Sequence, residues 1–126
     1  MPQTHRPISE FMTANPTTIA PNLTLDDARE RMYVNNIRHL VVVDGARVVG
    51  VLSTRDLYLI SSLSVVDSSA VPVGVAMASE PYTCNGETPL MEVAAQMQEH
   101  RYGCVVVVDQ GAPVGIFTTT DAMRVL

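Results

Sequence analysis

A hydroxyl and a carboxylate stand three residues apart at the end of an apolar run in Gly50-Val51-Leu52-Ser53-Thr54-Arg55-Asp56. The pattern returns 65 positions later as Gly115-Ile116-Phe117-Thr118-Thr119-Thr120-Asp121. A strand that ends in a hydroxyl and passes at once into a helix sets free backbone N–H groups beside that hydroxyl, at the positive end of the helix dipole. Such a corner binds anions. Gly50 and Gly115 carry no side chain and leave room for close backbone approach, and Asp56 and Asp121 could accept two hydrogen bonds from a ribose diol.

The same residues fit a bland alternative. Ser-x-x-Asp and Thr-x-x-Asp are capping-box patterns, in which the acid turns back onto its own helix and meets no ligand. One copy alone would favour the cap. Two copies that also keep the glycine and the preceding valine, Val49 and Val114, favour a ligand, because capping requires neither residue.

The repeat reaches beyond the motif. The offset pairs Met12 with Met77, Pro16 with Pro81, Thr18 with Thr83, Leu25 with Leu90 and Met32 with Met97, and it pairs Val41–Asp44 with Val106–Asp109. Two copies of a long unit do not make a solenoid, whose repeats are shorter and more numerous. In the first copy, 17–19 reads as a strand and Leu25, Ala28 and Met32 mark one face of a helix ending near Asn35-Asn36. Strands over 39–44 and 48–53 follow, apolar enough to be buried on both faces, and then a helix from Thr54 to about Ser62. The second copy repeats the order: a strand over 82–84, a helix capped by Thr88 with Pro89 in its first turn, strands over 104–108 and 114–117, and a helix from Thr119. Helical lead-ins over 8–12 and 73–77 precede the copies. The Ser-rich stretch around 61–70 reads as a flexible connector. The expected domains are 8–62 and 73–126, joined by 63–72.

Composition narrows the function. With 126 residues and 47% hydrophobic content the chain can bury one ordinary core, so the copies should pack together. A net charge of −5 gives no field for nucleic acid or an anionic membrane. All eight basic residues are Arg; the absence of Lys excludes a Walker-type phosphate loop and a lysine Schiff base. No apolar run is long enough to span a bilayer, and the start, Met1 to Pro7, has no apolar signal region, so a cytoplasmic protein without membrane insertion is expected. Cys84 and Cys104 form no C-x-x-C motif, and His39 and His100 have no partner at metal-ligand spacing, so no metal site and no redox role are expected. No nucleophile sits in an activation motif, and no catalytic residue is assigned.

Together these residues resemble a tandem pair of CBS domains, the Bateman module, over about residues 8–125. The paired Val-Val-Val-Asp strand ends and the two G-h-h-[ST]-x-x-D segments carry the resemblance. It implies an α/β (α+β) fold of two pseudo-twofold-related β-α-β-β-α repeats packed through their sheets, with a cleft between them for adenosine compounds such as AMP, ADP, ATP or S-adenosylmethionine. No resident cofactor is required. Carried over, Asp56 and Asp121 match the ribose-binding acids, Ser53 and Thr118 the phosphate-side hydroxyls, and Thr18 and Thr83 the strands that contact adenine. Arg38 falls where the family often places a phosphate contact, whereas its counterpart is Gly103; His39 likewise becomes Cys104. The copy with Asp56, Ser53, Gly50, Arg38 and His39 is therefore expected to take a phosphorylated ligand. The copy with Asp121, Thr118 and Gly115 is expected to bind weakly, to take an uncharged adenosine derivative or to stay empty. The resemblance further implies a homodimer and a regulated protein target that the sequence does not identify. The alternative function is a ligand-free dimerisation or docking module for an enzyme or transporter.

Overall fold

The computed structural model describes residues 5–63 and 65–125. Met1–Thr4, Ser64 and Leu126, on which the readings of the start, part of the connector and the end of the last helix fall, lie outside the described residues. The fold is mixed α+β, with two four-stranded sheets and five helices among the described residues.

The chain divides into two compact units, Thr17–Pro81 and the stretch before Thr17 together with the chain from Tyr82 onward. In the first unit β2 (Thr18–Ile19) leads to helix α1 (Leu25–Asn35), strands β3 (His39–Asp44) and β4 (Arg47–Ser53), and helix α2 (Thr54–Ser61). Helix α3 (Val73–Ala76) and the edge strand β5 (Ala78–Ser79) complete it. The sheet runs β2-β3-β4-β5; β2 is parallel to β3, and the other pairs are antiparallel. Leu40, Val42 and Leu52 point to one face and pack with Ile19, Leu25, Ala28, Met32, Leu57 and Val73. Val41 and Val51 alternate to the opposite face and are buried too, as the continuous apolar runs predict.

The other unit opens with a 3-10 turn, Ile8–Glu10, and β1 (Thr13–Ala14), then resumes with β6 (Thr83–Cys84), α4 (Leu90–His100), β7 (Cys104–Asp109), β8 (Ala112–Thr118) and α5 (Thr119–Val125). Its sheet runs β1-β8-β7-β6. Phe117, Val105 and Val107 form its core with Leu90, Val93, Met97 and Ile8. The Ile8 N–H donates to the Thr88 carbonyl at 2.8 Å, and Thr13 stands opposite Ile116 in the ladder. Each copy's lead-in thus completes the sheet built by the other copy: β1 borders β8, and β5 borders β4.

The internal repeat extends to backbone conformation where residue types have diverged. Asn15 and Glu80, Asn36 and Arg101, and Gly45 and Gln110 are three pairs at the same offset, all at φ between 52° and 67°. Asn36 and Arg101 are the left-handed residues that end α1 and α4, a conformation asparagine tolerates better than arginine.

Two local expectations change. Thr88 does not cap α4: Pro89, extended at φ −62° and ψ 143°, holds the cap position without a side-chain bond, and the Arg6 carbonyl receives the Leu90 N–H at 2.9 Å. The described part of the connector is stitched to the start of α1, where the Val71 and Ser68 carbonyls receive the Leu25 and Asp26 N–H groups and the Ser68 hydroxyl donates to Asp26.

Candidate functional site

Alternation places the motif residues. Because Leu40, Val42 and Leu52 face the helices, His39 and Ser53, which stand opposite each other in the ladder, project from the other side with Val41 and Val51. Thr18, opposite Val41, shares that face. The second sheet repeats the arrangement with Thr83, Val106, Cys104 and Thr118. Thr18 carries a further tie, since its carbonyl accepts from the Arg31 guanidinium at 2.7 Å.

Ser53 ends β4 and caps α2. Its hydroxyl accepts the Asp56 N–H at 3.1 Å, and Asp56 Oδ2 accepts the Ser53 N–H at 3.0 Å. The next amide, Thr54 N–H, donates to the Arg38 carbonyl at 2.9 Å, which fixes Arg38 beside the start of α2 with its side chain exposed. Ser53, Asp56, Arg38 and His39 therefore meet at one corner of one unit.

Thr118 caps α5 in the same way. Asp121 Oδ2 accepts the Thr118 N–H at 2.9 Å and the Thr118 hydroxyl at 3.1 Å, and Asp121 N–H donates to Thr118 Oγ1 at 3.2 Å. Arg124 adds an ion pair to Asp121 Oδ1. Asp121 is 5% exposed, the one charged residue buried among those described. Gly103 takes the place of Arg38, and its carbonyl receives the Thr119 N–H at 3.1 Å.

The capping box is thus formed in both copies. A third box opens α1, where Thr24 and Asp27 exchange the same bonds at 3.0 and 3.2 Å. The Thr-x-x-Asp spacing was readable there too, and it shows that the box alone does not mark a site. Those bonds from Thr24 hold the Asp27 carboxyl below its ordinary value.

The glycines have a packing role. A Cβ on Gly50 would meet the Ala78 carbonyl oxygen at 2.9 Å and Met77 Cγ at 3.0 Å; one on Gly115 would meet Met12 Cγ at 2.9 Å and Cε at 3.0 Å. The close backbone approach expected for a ligand is made by the lead-in methionines, which the repeat pairs at the same offset. Burial pushes the Cys84 thiol up to about 11, partly countered by a bond with Thr88. Among the described residues no group of three or more His, Cys, Asp or Glu side chains is placed to hold a metal ion, and no helix is long and apolar enough to cross a membrane.

A groove of about 420 Å³ between α1 and α2 is lined by Met32, Tyr33, Ile37, Leu57 and Tyr58 with Arg29, and reaches Thr54 at the start of α2. Tyr33 and Tyr58 are 86% and 78% exposed. The helical stripe reading sorted residues into core and surface and gave no signal for aromatic rings on the outer side.

Two sheets, each with its helices on one face and a strand-to-helix hydroxyl corner on the other, define a duplicated motif module. The CBS domain model matches residues 8–63 and 69–126, and the chain belongs to the CBS domain family as a tandem pair. It is 28% identical to the CBS domain-containing protein YhcV of Bacillus subtilis over 90% of this chain and 81% of YhcV. It resembles the crystal structure of a conserved protein from Pyrococcus horikoshii with a TM-score of 0.86 and 29% identity, covering 97% of this chain and 92% of the other. It resembles CBSX2, solved in complex with AMP, with a TM-score of 0.82 and 26% identity over 95% of both chains. In two larger curated relatives it spans 23% of their length.

Proposed function

We propose that this chain is a regulatory module that binds an adenosine compound and passes its occupancy to a partner protein. The observation that carries the reading is the corner where Ser53, Asp56, His39 and the exposed Arg38 meet at the start of α2. A phosphorylated adenosine ligand would present phosphate to the Ser53 hydroxyl and Arg38 at the positive end of α2, and its ribose diol to Asp56, with adenine toward Thr18. The AMP complex of CBSX2 supports this ligand class. The Thr118, Asp121, Gly115 and Thr83 copy, lacking a counterpart of Arg38, takes a weaker or uncharged ligand or none. ADP, ATP and S-adenosylmethionine share the adenosine group and belong to the same test. The module acts on its target by differential affinity between states, with no chemistry of its own, in the cytoplasm where such nucleotides are abundant, and as a homodimer.

Unfolding of the wild type and of Asp56→Ala is followed with AMP, ADP, ATP or S-adenosylmethionine. A ligand at a hundred times its Kd stabilises the wild type by ~2.7 kcal/mol, and Asp56→Ala abolishes the shift. A second reading, a ligand-free dimerisation or docking module, draws on the α1/α2 groove with its exposed Tyr33 and Tyr58. Melting temperatures unmoved by all four compounds would replace the first reading with the second.

A further inference from the structure

The two acids are not equally available. A carboxylate offers about four lone-pair positions. Asp121 commits three: to the Thr118 N–H, to the Thr118 hydroxyl and to Arg124. Among the described residues Asp56 commits one, to the Ser53 N–H, and is only half-buried. One of the two extra bonds, the ion pair, traces to a single position, because the counterpart of Arg124 at the 65-residue offset is Leu59, whose side chain cannot donate. The Arg124 side chain is 66% exposed and the Asp121 side chain 8%, so an exposed cation holds a carboxylate that is itself nearly withdrawn from solvent.

We infer that Arg124 satisfies Asp121 from within the chain and thereby limits the protein to one adenosine ligand, held by the Asp56 copy. The inference rests on the binding reading above and adds the residue that decides between the copies. A ribose approaching Asp121 must displace a charge-assisted hydrogen bond to gain neutral ones. One approaching Asp56 meets no ion pair of that kind among the described residues.

Isothermal titration with AMP tests it. The wild type should bind one AMP per chain, retained in Asp121→Ala and lost in Asp56→Ala. Arg124→Leu, which installs the residue of the first copy, should admit a second AMP with at least about a tenfold gain at that site, and adding Asp121→Ala should remove it. Arg124→Gln, which keeps a polar surface, serves as a second variant, and thermal unfolding without ligand checks that both are folded. Two AMP per wild-type chain, or one per chain in both Arg124 variants, would overturn the inference while leaving the binding reading intact. No heat from any form would overturn both together, and the Asp56 copy, read in the same titration, tells the two failures apart.

Discussion

Substituting the two motif glycines by alanine separates packing from ligand contact and gives different costs for two positions that look alike in sequence. At Gly115 every near atom met by a new Cβ belongs to the Met12 side chain, which is unbranched and can rotate away. At Gly50 the new Cβ also meets the Ala78 carbonyl oxygen at 2.9 Å, in a strand hydrogen-bonded to β4, and that oxygen has nowhere to go. Overpacking costs about 1–3 kcal/mol; Gly115→Ala falls near the lower figure and Gly50→Ala near the upper. Replacing glycine also removes unfolded-state entropy, which returns about 0.4–1 kcal/mol to each variant. The net expectation is a loss below about 0.5 kcal/mol for Gly115→Ala and about 2 kcal/mol for Gly50→Ala. With a urea m-value of about 2 kcal/mol/M, the midpoints fall by about 0.2 M and 1 M respectively. Double-mutant cycles locate the cause: Met12→Ala should remove most of the Gly115→Ala cost, whereas Met77→Ala should relieve Gly50→Ala only in part, because the carbonyl remains. Equal midpoint shifts, or complete rescue of Gly50→Ala by Met77→Ala, would refute the packing account of these glycines.

Asp27, held below its ordinary value of 3.8 by its bonds with Thr24, gives the fold a pH dependence. Its folded value is depressed, so its contribution is present above 3.8 and is lost as pH falls through the lower folded value; the melting-temperature gap between wild type and Asp27→Asn should be widest near neutrality and close in acid. Cys84, pushed up to about 11, should be about a thousandfold less thiolate than thiol at pH 8, so in Cys104→Ser it should react with a disulfide reagent far more slowly in the folded protein than in urea. Equal rates would remove burial as the cause.

What was legible followed from periodicity and local chemistry. The α1 stripe of Leu25, Ala28 and Met32 is the buried face, and the capping spacing fixed the start of α2 at Ser53. The strands β3 and β4 announced themselves by apolar runs. The lead-in strands did not, because the pairing of Thr13 with Ile116 is decided by a distant edge rather than by neighbours. Met12 and Met77 were visible as a repeated pair, but that each fills the space above a glycine is a fact of three dimensions. At the candidate site the spacing of Ser53 and Asp56 gave the box, whereas the demand on Asp121 from Arg124 depends on burial that no spacing reports.

The exchange of lead-ins means that the segment that was duplicated is not the segment that folds. A chain made from its N-terminus has every strand of the Thr17–Pro81 unit once Ser79 is synthesised. The stretch carrying Ile8 and Thr13 emerges earlier and waits for Ile116, roughly a hundred residues later, before its own ladder can close. A single sequence copy cut out at its repeat boundaries would leave a sheet edge open and a glycine uncovered, so heredity doubled a piece whose autonomy depends on its twin.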